Sequence, residues 1–210
     1  MANVLLGATG SVAAVRVPAL AAALAADGHD VKVVATDAAT YFFDPADPAV
    51  AGRLYRDADE WPGERYERGD AVLHVELRKW ADLFLLAPLD ANTLAKLAVG
   101  LCDNCLTCVW RAWDFARPVV LAPAMNTLMW DHPFTRRHLR SLAADFGAGH
   151  IPAHLDDLPL IAQINDRSRM LRVVPPVVKQ LACGDVGAGA MAEVAEVAAA
   201  VRDAFARRAA

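Results

Sequence analysis

Four short, almost uninterrupted apolar runs mark this chain, at residues 4–8, 31–35, 83–87 and 118–122. Runs so short and so uniformly apolar read as strands buried on both faces, which need cover above and below. The stretches between them supply it. A helix opens at Gly10-Ser11, runs to Ala26 and stops at Asp27-Gly28, and further helical patterns lie at 75–80, 91–99, 104–113 and 134–146. Val173-Val174 reads as a short outer strand, and 193–207 as a closing helix. Strands separated by helices join as right-handed βαβ units. The expected fold class is therefore α/β: a Rossmann-like or flavodoxin-like three-layer sandwich around a central parallel sheet, with residues 1–210 as one domain.

Composition narrows the function. Of 210 residues 56% are hydrophobic and 22% charged, the balance of a globular chain, and the net charge of −4 comes without a basic cluster. Nucleic acid and anionic membrane are poor partners for such a surface. The chain begins on a strand-like run without the charged start and apolar stretch of a signal peptide, and no apolar run suits a bilayer. The expectation is a cytoplasmic protein with reduced thiols. Cys102, Cys105 and Cys108 stand three apart, but no second Cys/His pair follows at zinc spacing. They read as packing on one stripe of a helix, and no metal is expected. His29, His132, His138, His150 and His154 also lack partners at metal spacing, and Asp57, Asp59 and Glu60 read as a solvated acidic run.

Parallel sheets bind ligands beyond the carboxyl ends of their strands. The first such place is Gly7-Ala8-Thr9-Gly10-Ser11. Its glycines let backbone amides face an anion at a helix start, and Ser11 adds a hydroxyl. It is neither the GxGxxG dinucleotide fingerprint nor a lysine-bearing Walker loop. A turn that merely needs glycine would look the same; a loop this short suits a mononucleotide such as FMN.

Further along, the stretch 74–82 (HVELRKWAD) is followed by APLDANTLAK at 87–96 and GLCDN at 100–104. Then come PAMNTLMW at 123–130, LACGD at 181–185 and GAMAE at 189–193. In this order the segments resemble the phosphopantothenoylcysteine decarboxylase family, along nearly the whole chain. The resemblance implies a homo-oligomeric flavoprotein with FMN held between subunits, as a homotrimer or dodecamer of trimers. It assigns His74 as catalytic base, Asn126 as holder of the substrate carboxylate and Cys183 as the group that completes the reductive half-reaction. Ala182 and Met191 fall with Cys183 in a substrate-clamp segment near 175–193. Gly10, Ser11, Val12, Thr36, Phe42, Asp90, Ala91, Asn92, Thr93 and Ala124 fall at the FMN-contact segments, Asp90 through its backbone. Residues 151–172 stand out as an insertion ahead of the clamp, with a short helix expected at 158–165.

The implied chemistry makes sense of these residue types. Loss of carbon dioxide from a cysteine carboxylate leaves a carbanion with no sink. Oxidation of CH2–SH to a thioaldehyde by the flavin creates one, and an enethiolate follows. Histidine ordinarily titrates near pH 6.5 and suits a base. A neutral asparagine orients a carboxylate without a salt bridge that would oppose its departure. A free thiol at Cys183 can return a proton to the enethiolate; peptide enzymes that release an enethiol need no such step. The substrate is therefore expected to be 4′-phosphopantothenoylcysteine. A peptide ending in cysteine is the alternative, and a non-catalytic flavin-binding regulatory subunit a third.

Overall fold

The computed structural model describes residues 1–61, 63–65, 67–180 and 186–209. Six parallel strands form the central sheet: β1 (Asn3–Ala8), β2 (Asp30–Ala35), β3 (Leu54–Tyr55), β4 (Leu83–Leu89), β5 (Val119–Pro123) and β6 (Leu171–Val173). Their order is β3-β2-β1-β4-β5-β6, so chain direction across the sheet reverses between β1 and β4. That is the doubly wound arrangement, and the crevice at its reversal point is where such sheets take ligands.

Each strand sends alternate side chains to opposite faces. Val4, Leu6 and Ala8 of β1, with Leu83, Leu85 and Ala87 of β4, pack under α1 (Val17–Ala26) and α9 (Val194–Ala209) through Val17, Leu20, Leu24, Val197 and Val201. Leu5, Phe84, Leu86 and Leu121 point the other way. They meet α3 (Leu73–Trp80), α4 (Ala91–Val99), α5 (Cys105–Arg111), α7 (Pro133–Asp145) and α8 (Asp157–Arg167). Short α2 (Asp37–Thr40) and α6 (Thr127–Asp131) follow β2 and β5, and an antiparallel hairpin, β7 (Val177–Gln180) with β8 (Val186–Ala190), precedes α9.

Several expectations shift. The first helix is two pieces, a 3-10 turn at Val12–Arg16 and then α1, because Pro18 sits in the first turn of α1 and lacks an amide hydrogen. The outer strand lies at Leu171–Val173, ahead of Val174. The helix in the suspected insertion extends over Asp157–Arg167, and its Leu160, Ile161 and Ile164 are core. The three cysteines do not share a helical stripe: Cys102 is exposed ahead of α5, Cys105 is buried, and Cys108 is half-buried. Of the acidic run only Asp59 is exposed. Asp57 accepts from the Cys105 backbone amide at 2.8 Å, capping α5, and Glu60 is only 5% exposed. Burial is the largest influence on the Asp57 carboxyl and raises it above the usual range.

Candidate active site

The cavity lies beyond the carboxyl ends of β1, β4 and β5, at the reversal point of the sheet. At about 510 Å³ it falls within the roughly 300–1,000 Å³ of cofactor and ligand pockets. Each strand hands one loop to it. After β1, Ser11 caps the following turn in extended conformation, its hydroxyl accepting from the Ala13 amide at 3.4 Å. Gly10 is required by close approach: a Cβ there would stand 2.7 Å from the Cβ of Ala38 in α2. Thr9, fully buried, locks this loop to the next one. Its hydroxyl donates to the Pro88 carbonyl at 2.8 Å and accepts from the Asp90 amide at 2.7 Å.

After β4, Asp90 caps α4, its Oδ1 accepting from the Thr93 amide at 2.7 Å. Its backbone amide is committed to Thr9 and its carbonyl to the Leu94 amide at 2.9 Å. Asp90 lines the cavity beside Ala91 and Asn92. After β5, Asn126 caps α6, its Oδ1 accepting from the Leu128 amide at 2.8 Å. Asn126 also lines the cavity, beside Met125 and Met129.

The β7–β8 hairpin closes the fourth side. The Met125 amide donates to the Gly189 carbonyl at 2.9 Å, joining the hairpin to the Asn126 loop. Two glycines allow this contact. A Cβ on Gly187 would stand 2.4 Å from Thr127 Oγ1, and one on Gly189, at φ +134°, would stand 2.3 Å from the Met125 carbonyl oxygen. Gly189→Ala therefore combines overpacking with a strained backbone, and is expected to cost about 1–3 kcal/mol in urea unfolding. An unchanged midpoint would show that the hairpin does not rest on this loop.

Ten of the residues singled out in the sequence line the one cavity: Gly10, Ser11, Val12, Phe42, Asp90, Ala91, Asn92, Ala124, Asn126 and Met191. Thr36 and Thr93 are buried beside it and do not line it. Thr36 Oγ1 is buried without a hydrogen-bond partner among the described residues. Ala182 and Cys183 lie outside the described residues. His74 stands elsewhere: it is the second residue of α3 and not among those lining the cavity, and its Nδ1 lies 2.5 Å from Glu60 Oε1. No residue of 151–172 lines the cavity either.

Sequence reasoning passed over Arg16 and Lys179, the cavity's two cations. Both pair with Glu193: Arg16 Nη1 stands 2.9 Å from one carboxylate oxygen and Lys179 Nζ contacts the other, so the Glu193 carboxyl is held below its usual range, chiefly by Lys179. Their only sequence signal is position, on the turn after β1 and on β7.

The residues present fit a flavin mononucleotide. The Gly10–Val12 backbone and the Ser11 hydroxyl lie where a phosphate would sit at the start of a helical turn, with Arg16 nearby. Val12, Val15, Phe42, Ala124, Met129 and Met191 give an apolar wall for a ring system.

Comparison with known proteins agrees. The Flavoprotein family model matches residues 1–206. A mouse phosphopantothenoylcysteine decarboxylase is 47% identical over 201 residues, 95% of this chain and 85% of its own length. A solved cysteine-to-serine mutant of PPC decarboxylase, complexed with pantothenoylaminoethenethiol, is 39% identical with a TM-score of 0.76, over 98% of both chains. The FMN-binding protein AtHal3 is 42% identical with a TM-score of 0.72, over 96% of this chain and 95% of that one.

Proposed function

This chain belongs to the Flavoprotein family, and on that premise we propose that it decarboxylates 4′-phosphopantothenoylcysteine to 4′-phosphopantetheine in the cytoplasm. It is an FMN-dependent cysteine decarboxylase of α/β fold. The observation that carries the substrate reading is the joining of the phosphate loop, Asn126 and the hairpin on one cavity, in a chain 47% identical to a phosphopantothenoylcysteine decarboxylase.

Bound FMN supplies a two-electron oxidant for the substrate CH2–SH. The chain does the rest. Gly10, Ser11 and Val12 hold the cofactor phosphate, while the apolar wall keeps water from the reacting carbons. The Asn126 amide orients the carboxylate through a neutral donor, so no ion pair has to break as carbon dioxide leaves. Residues 175–193 act as the substrate clamp within one catalytic unit, 1–210, with Ala182 and Met191 against the substrate and Cys183 as proton donor.

His74 takes the proton of the substrate thiol. Since it does not line the cavity of its own chain, it serves the cavity of another copy, and the enzyme works as a homotrimer or a multiple of one. Exposed apolar residues on the cavity rim, Val12, Val15 and Met129, give such an interface its area. Co-expression tests this directly. His74→Asn and Asn126→Asp, each inactive alone, are expected to regain part of the wild-type activity in mixed oligomers, because some sites then receive His74 from one chain and Asn126 from the other. Mixed oligomers without activity would place both residues in one chain's site. Mass spectrometry of the product tests the substrate: a loss of carbon dioxide from phosphopantothenoylcysteine is expected, and turnover only of peptides ending in cysteine would replace it.

A further inference from the structure

Glu60 lies outside the cavity and pairs with His74 in an environment unusual for two ionisable groups. Glu60 ends the short turn over Asp57–Asp59, where Arg56 N–H donates to Asp59 Oδ2 at 2.8 Å. Asp57 is pinned to the start of α5 through the Cys105 amide, and this drives Glu60 into the gap between α3 and α5. There its side chain is 7% exposed and that of His74 22%. Oε1 meets His74 Nδ1 at 2.5 Å. Oε2 is buried without a hydrogen-bond partner among the described residues. The Cys105 thiol lies against the same carboxylate, and burial first, then Glu60, push its pKa up, so it stays a thiol. A buried carboxylate is costly unless paired, and here its partner is the imidazole.

We propose that Glu60 is a positioning residue for the decarboxylase reaction: its carboxylate accepts from His74 Nδ1–H, fixes that tautomer, and leaves the Nε2 lone pair as the base. This rests on the reading of His74 as the base. When the substrate thiol gives up its proton, the S–H electron pair stays on sulfur and an Nε2–H bond forms. The resulting imidazolium is held by the carboxylate at Nδ1. The logic is that of a carboxylate behind a catalytic histidine, where loss of the carboxylate charge leaves geometry intact and costs the correct tautomer. Burial in the α3–α5 gap restricts reorientation of the pair, with Nδ1 committed to Glu60.

The test uses the FMN-loaded enzyme. Nitrogen-15 NMR of the wild type, labelled at histidine, is expected to show His74 as the Nδ1–H tautomer with Nε2 unprotonated. An Nε2–H tautomer would overturn the proposal without any variant. Glu60→Gln is expected to lower kcat by about 10²-fold or more, with KM and FMN content within about twofold, while Glu60→Asp regains part of the loss. A Glu60→Gln enzyme that keeps kcat within about threefold, or keeps the wild-type tautomer, also overturns it. His74→Asn separates this from the parent reading. If His74→Asn is inactive and Glu60→Gln is not, only the role of Glu60 fails; if His74→Asn turns over normally, the base assignment itself fails. Adding Glu60→Gln to His74→Asn should change nothing further, since Glu60 acts through the ring.

Discussion

Cys183→Ser is expected to turn phosphopantothenoylcysteine into a product two hydrogens lighter than that of the wild type, with the flavin left bleached. The argument is one of acidity. A free thiol has a pKa near 8.5, within reach of an enethiolate, whereas an alkanol is a far weaker acid. Oxidation and loss of carbon dioxide precede the need for this proton, so both proceed in the variant. The final reduction lacks its proton and stops, and the enethiol accumulates. Single-turnover absorbance and product mass read both halves. Fully reduced thiol made at the wild-type rate would remove Cys183 from the step. Enethiol released by the wild type itself would move the substrate reading toward peptides.

The second large effect is at His74. His74→Asn is expected to lower kcat by about 10²–10⁴-fold, the usual contribution of a positioned base. FMN content should not change, because none of the hydrogen bonds that tie the Gly10–Ser11 loop to the Asp90 loop involve His74. Asparagine keeps a polar atom near the position of Nδ1, so Glu60 retains a partner and the loss is one of chemistry more than of fold. Visible absorbance of the purified variant checks the flavin, and single-turnover kinetics check the rate. Loss of flavin together with activity would mean that His74 builds the cofactor site, directly or through assembly.

What the sequence disclosed and what it withheld divide along physical lines. β1, β2, β4 and β5 were legible because both faces of a central strand are buried and little interrupts their apolar runs. The loops after them followed from the rule that a doubly wound sheet takes ligands at its carboxyl edge. Two-residue β3 has too little pattern to read, and the β7–β8 hairpin is short and rich in glycine, so no alternation stands out. Glu60 was illegible for another reason. Three acids in four residues are usually solvated; what buries the last is the closing of α5 over the turn, a tertiary event with no local signature. The stretch 151–172 shows the same limit. Asp157–Arg167 is a helix as expected, but its apolar stripe joins the core against β6 and α7, away from the cavity.

The backbone link between Met125 and Gly189 constrains how such a protein can diverge. The loop bearing Asn126 and the hairpin leading to Cys183 meet main chain to main chain, with glycine on one side because nothing larger fits. A shift of one carries the other with it, so the Asn126 loop and the hairpin move as a single part. The side chains of Arg16, Met129 and Lys179 line the same cavity without taking part in that joint.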